Sequence, residues 1–186
     1  MRRRGLFLVA AAVIVAASAT AVFAALSSGP TGGCLNPLAA HYSIQQLSMG
    51  PTLIKGDLVV VSSIQSGTPF ARGQIVVFTP PAAFAGDSSP FIKRIIGLPG
   101  ETVSIAGGRI VINGAPLDES YLAPGTETTS QGTETSWVIG ADELFVLGDS
   151  RANSADSRSF GAIPVASVTG HAAAICAPDS RKVALP

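Results

Sequence analysis

The chain has 186 residues, 12 Lys+Arg against 12 Asp+Glu, and a formal net charge of +0. That length suits one domain, and the even balance excludes a nucleic-acid binder, which needs a basic surplus to meet phosphate. With 47% hydrophobic residues the chain can bury a core, and its 20 Gly and 13 Pro punctuate it with turns, as β-rich domains require.

The first element is apolar. Arg2, Arg3 and Arg4 precede an uncharged run of 21 residues, 6–26. As a helix it would reach about 31 Å, enough to cross a bilayer core of about 30 Å. The next basic residue is Lys55, so the positive-inside tendency leaves residues 1–5 in the cytoplasm and everything after the run outside. A cleaved secretory signal is the alternative, because "AVFAA" offers small residues for cleavage, although the run is longer than a usual signal core. A lipoprotein signal through "TGGC" fits less well, since Cys34 stands far from the apolar run. On each of these readings the rest of the chain works outside the cytoplasmic membrane. There an oxidising exterior permits a disulfide between Cys34 and Cys176, with two free thiols as the alternative.

Residues 27–40 read as a linker, and 41–178 as a β-rich domain in which about 101–140 form a smaller inserted region. "HYSIQQL" alternates, with Tyr42, Ile44 and Gln46 on one face. "DLVVVSSI", "GQIVVFTP", "FIKRIIG" and "ETVSI" are the next strands, and "GRIVING" follows with Asn113-Gly114 as a hairpin turn. Residues 118–136 are polar and predict a loop; "ELFVLGD" and "VTGHAAAIC" predict two further strands, and a short helix fits "ADSRSFGAIP" loosely. Residues 179–186 are a tail.

Histidine chemistry has little to work with. His41 and His171 are the only histidines, and no Gly-x-Ser-x-Gly elbow accompanies them. Two His and two Cys scattered along the chain also lack paired zinc-ligand spacing, so no metal or cofactor is expected. A lysine can replace histidine as a base if burial makes it neutral, because desolvation penalises the ammonium. Of the three lysines, Lys55 lies in the polar turn "IKGD" and Lys182 in the tail. Lys93 lies in "PFIKRIIGLPG", and alternation puts Phe91, Lys93 and Ile95 on one face. An edge lysine that blocks aggregation is the competing explanation. A third cluster, "GDSRANSADSR", follows the apolar "ELFVL", where loops commonly carry function.

Three segments together resemble the bacterial type I signal peptidases: "SMGPTLIKGDLVVV", "FIKRIIGLPGETV" and "GDSRANSADSRSFGAIP" look like that family's serine, lysine and glycine-aspartate boxes, in order. The resemblance covers most of residues 47–164 and implies a mostly β, antiparallel, barrel-like catalytic domain on a single N-terminal transmembrane helix. It implies a Ser–Lys dyad, with Ser48 as nucleophile and Lys93 as general base. Ser154 would orient the lysine amine, while Met49, Pro51, Asp149, Arg151, Asp156 and Arg158 would support the site. The oxyanion would be met by the Ser48 backbone N–H, either alone or with the amide of Gln46, which stands where the family has a hydroxyl. Gly50, Ser150 and Ala152 also depart from the family pattern. The implied protein is a monomer that cuts secreted preproteins after small residues at the membrane, without nucleic acid as a partner. The apolar "TPPAAF" would touch the lipid interface. A processing peptidase of a pilus or conjugation system, and a non-catalytic assembly protein of the same build, are the alternatives.

Overall fold

The computed structural model describes residues 40–65, 67–85, 89–178 and 185. The apolar run at 6–26, the linker and most of the tail lie outside the described residues. No helix among the described residues is long and apolar enough to cross a membrane.

Eleven strands form two antiparallel sheets. The larger contains β1 (Ala40–Ser43), β2 (Leu58–Ser62), β3 (Ile75–Phe78), β4 (Phe91–Gly97), β9 (Glu143–Leu147), β10 (Ile163–Pro164) and β11 (Val168–Cys176), in the order β1-β2-β11-β3-β4-β9-β10. It is open, with β1 and β10 as its two edges. The smaller contains β5 (Thr102–Ala106), β6 (Arg109–Ile112), β7 (Ala115–Pro116) and β8 (Ser136–Val138), in the order β7-β6-β5-β8. One helical turn, α1 (Ser157–Phe160), is capped by the Asp156 side chain, which accepts from the Arg158 amide.

The strand patterns explain the layers. All four side chains of β3 are buried, as expected of an unbroken apolar strand in mid-sheet. Ile75 and Val77 pack with Met49, Leu53, Val59 and Val61. Val76 and Phe78 point the other way, to Ile95, Leu144, Val146 and Ile163. A third cluster joins the sheets: Val103, Ile110 and Trp137 of the small sheet meet Ile96, Phe145 and Leu147 of the large one. Asn113 and Gly114 both adopt positive φ, 49° and 85°, the left-handed pair that a two-residue β6–β7 turn needs.

Three strand expectations change. The first strand stops at Ser43 instead of running to Leu47, because Ile44 turns inward to bond Asp57 across the next loop. The short strands β8 and β10 were not legible: "SWV" sits at the end of a polar stretch, and "IP" is too brief to show a period. Strand β11 ends at Cys176, which is disulfide-bonded; Cys34, the chain's other cysteine, lies outside the described residues.

Candidate active site

The loop that carries Ser48 is held from inside. Ile44 N donates to the Asp57 carbonyl at 2.8 Å and Gly56 N to the Ile44 carbonyl at 2.9 Å, which pinches the two ends of the loop together. Met49 and Leu53 are buried in the core, and Leu53 N donates to the Met49 carbonyl at 2.9 Å. Ser48 therefore stands between a core anchor, Met49, and an exposed Leu47. Pro51, joined to Gly50 by a cis peptide, and Gln46 are exposed. The Ser48 carbonyl is itself tied down, accepting from Ser150 N at 3.1 Å.

Lys93 comes from β4. Lys93 pairs with Val76 in register and is only 3% exposed. Its Nζ lies 2.8 Å from Ser48 Oγ and donates to the Ile92 carbonyl at 3.1 Å. The Phe91 ring centroid is 5.1 Å away, on the face that alternation assigned to both residues. Burial drives the Lys93 pKa from 10.5 down to about 8, against the opposing fields of Asp156 and Asp149.

Those carboxylates are each matched by a buried arginine. Arg94 Nε and Nη2 donate to the two oxygens of Asp149 at 2.9 and 2.6 Å, a fork geometry that strengthens the pair. Arg158 Nε and Nη2 do the same for Asp156, at 2.8 Å each. Asp149 also accepts from Thr52 Oγ1 at 2.5 Å, so one carboxylate links the Ser48 loop, the Lys93 strand and the loop after β9. Arg151 donates through Nε to the Gly148 carbonyl at 3.1 Å and pairs with Glu119 and Thr128.

The 118–136 stretch is the part that sequence reasoning missed. It forms a loop as expected, but a fastened one. Glu119 and Thr128 hold Arg151, and the Thr129 carbonyl accepts from Arg158 at 3.1 Å. Gln131 Nε2 donates to the Ser154 carbonyl at 2.6 Å. Tyr121 donates to Glu119 at 2.6 Å and stacks against the Arg94 guanidinium at 3.9 Å. Burial and the Glu119 carboxylate push the Tyr121 phenol well above its usual range, so it stays a donor. Nothing in "DESY" or "TSQG" announces these partners, because ordinary surface loops have the same composition. Arg94 was legible, standing next to Lys93 on the opposite face, yet its role required Asp149 to be seen opposite it.

Ser154 borders the same cavity as Ser48 and Lys93 and is 7% exposed. Among the described residues its Oγ has no hydrogen-bond partner. Gly148 lies between Ser154 and the Ser48 carbonyl, so close that a Cβ there would come within 3.0 Å of both. A glycine is the residue that lets these two segments meet. No cluster of three or more metal-ligating side chains occurs among the described residues. The arrangement is a buried amine beside a hydroxyl at the junction of two clefts, which is equipped for nucleophilic acyl transfer.

A family profile described as "Signal peptidase, peptidase S26" matches residues 2–177. A signal peptidase I from Leptolyngbya laminosa is 42% identical over 130 residues, covering 67% of this chain and 62% of that protein. A signal peptidase I from Bacillus amyloliquefaciens is 37% identical over 131 residues, covering 67% of this chain and 68% of that protein. The crystal structure of a signal peptidase I from Enterococcus faecalis V583 overlays with a TM-score of 0.46 at 32% identity, covering 56% of this chain and 97% of that one. The chain thus spans about three-fifths of the length of the first of these relatives. On the profile match and these identities, the chain belongs to the signal peptidase family of S26 peptidases.

Proposed function

We propose that this chain is a membrane-anchored serine endopeptidase that removes signal peptides from secreted preproteins, using Ser48 and Lys93 as a dyad. The observation that carries this reading is the 2.8 Å separation of Lys93 Nζ from Ser48 Oγ within a buried site. In the neutral state Lys93 accepts the Ser48 hydroxyl proton as Oγ bonds to the substrate carbonyl carbon. The resulting oxyanion is met by the Ser48 backbone N–H and the Gln46 amide, donors placed where the negative charge develops. Lys93 then gives its proton to the leaving nitrogen as the C–N bond breaks, and an ester remains on Ser48. Water attacks that ester, passing its proton to Lys93, and the proton returns to Ser48 Oγ as the C–O bond breaks. Ser154 Oγ, in the wall of the cavity that Lys93 also lines, accepts a Lys93 N–H during the reaction, which leaves the amine lone pair aimed at Ser48 and the Ser154 O–H free to donate.

The substrate's acyl side lies as an extended strand in the cleft between Tyr42–Gln46 and Ser89–Ile92, a cavity of about 320 Å³. Its walls include Tyr42, Ile44, Met49 and Ile92, apolar side chains that suit small substrate residues of the Ala-x-Ala kind. Residues 6–26 anchor the chain with its N-terminus in the cytoplasm. The oxidised state of Cys176 supports an extracytoplasmic domain, and we assign Cys34 as its partner. The exposed Ala82 and Ala83 form the lipid-facing tip of "TPPAAF", because the Phe84 ring turns inward onto Phe160 with centroids 5.2 Å apart.

The test uses membranes carrying the full chain, given a preprotein with an Ala-x-Ala site. The parent cuts at that site; Ser48→Ala and Lys93→Ala do not. Cleavage that survives either substitution rules out the dyad, and binding without cleavage by the parent favours an assembly role instead.

A further inference from the structure

Two cavities meet at the dyad. The first is the cleft assigned above to the acyl side of the substrate. The second, of about 380 Å³, shares Gln45, Gln46, Ser48, Phe91 and Lys93 with it and continues to Leu47, Asn153, Ser154 and Ala155. No strand borders the second cavity beyond Lys93 and Phe91; its far wall is the loop after β9.

The proton path says what the second cavity holds. Lys93 takes a proton from Ser48 and must hand it to the leaving nitrogen, and Lys93 lines both cavities. With the acyl side in the first cleft, the leaving nitrogen and the residue that carries it fall to the second. We propose that this second cavity is a subsite for the first residue of the released protein, and that Leu47 makes it select an uncharged, preferably apolar, side chain there. The inference rests on the peptidase reading given above.

Three observations support it. Leu47 is 56% exposed although it directly precedes the nucleophile, a large apolar side chain left open to the cavity. Apart from Lys93, every lining side chain is uncharged. A carboxylate bound there would have Lys93 as its one cationic neighbour in the lining, and pairing would hold that amine protonated and unable to act as base. Third, the Ser154 hydroxyl is buried in the wall and has no hydrogen-bond partner among the described residues. It is placed to meet a polar backbone group of a residue bound in the cavity.

The experiment compares signal-sequence peptides that differ only in the residue after the scissile bond: leucine, alanine or aspartate. With the full chain in detergent, kcat/KM falls in that order, by roughly fivefold from leucine to alanine and roughly tenfold more to aspartate, the scale of one pocket contact. In Leu47→Ser the leucine-to-alanine ratio collapses towards one, while the ratio between alanine and valine on the acyl side of the bond keeps its parent value. Asn153→Asp deepens the discrimination against aspartate and is an independent variant should Leu47→Ser fold poorly. Equal rates for the three peptides would overturn the subsite while leaving the peptidase intact. A leucine preference that survives Leu47→Ser, or a change on the acyl side instead, would overturn it as well. Failure of the parent to cut any peptide defeats the peptidase reading and takes the subsite with it.

Discussion

Replacing Lys93 by methionine separates catalysis from stability. Burial lowers the Lys93 pKa from 10.5 to about 8. At about 1.4 kcal/mol per pH unit, that drop corresponds to about 3 kcal/mol of lost folding free energy, because the unfolded chain holds the proton more tightly. Below pH 8 both states are protonated and the whole cost applies. Between pH 8 and 10.5 the folded chain has already released the proton while the unfolded chain keeps it, so this group adds stability as pH rises. Above that window the cost is gone. Methionine fills a similar length of the same apolar face without a charge, giving up the contacts to Ser48, the Ile92 carbonyl and the Phe91 ring and the attraction of Asp156 and Asp149 that the lowered pKa already includes. Lys93→Met is accordingly more stable than the parent at pH 7, by up to about 3 kcal/mol, and inactive. Urea unfolding followed through Trp137, the single tryptophan, measures both proteins at pH 7 and pH 10.5. The gap should be large at the first pH and small at the second. A variant less stable than the parent at pH 7, or a gap that fails to close, would refute the argument that Lys93 is held at a cost.

Two further outcomes follow from the same geometry. The kcat/KM for a signal-sequence peptide rises with pH and levels off above an apparent pKa of about 8, the value burial gives Lys93; a profile flat between pH 6 and 10 contradicts a lysine base. Gly148→Ala forces a Cβ within 3.0 Å of Ser154 and the Ser48 carbonyl, which costs about 1–3 kcal/mol of stability. By displacing the nucleophile it also lowers kcat/KM about a hundredfold; thermal unfolding and peptide kinetics on the same sample check both effects, and a fully active variant would mean the two segments can part.

The legible part of this molecule is what strand periodicity and local order encode. "IVVF" and "ELFVL" are dense enough in apolar residues to be interior strands wherever they fall. The alternation in "FIKRIIG" places Lys93 beside Phe91 without knowledge of a partner. Asn113-Gly114 specifies its turn by its own backbone preferences. What the sequence conceals is pairing across distance. Glu119 meets Arg151, Thr52 meets Asp149, and Gln131 meets the Ser154 backbone. A carboxylate or an amide in a polar loop looks the same whether it faces solvent or a buried guanidinium. Gly148 is hidden for a related reason, since its lack of a side chain matters only once two other segments press on it. Ser154 lies between these cases. Its position beside the base could be expected from the three boxes together, but the orientation of its hydroxyl could not.

The bonds of Asp149 have a consequence for when activity can exist. This one carboxylate receives Thr52 from the loop that carries the nucleophile and Arg94 from the strand that carries the base, partners 97 and 55 residues away in the chain. The Ser48 loop and the Lys93 strand therefore meet on one carboxylate supplied by a third segment of the chain. On the peptidase reading proposed above, a copy that lacks these long-range contacts lacks a fixed dyad, so cleavage waits on assembly of the whole site.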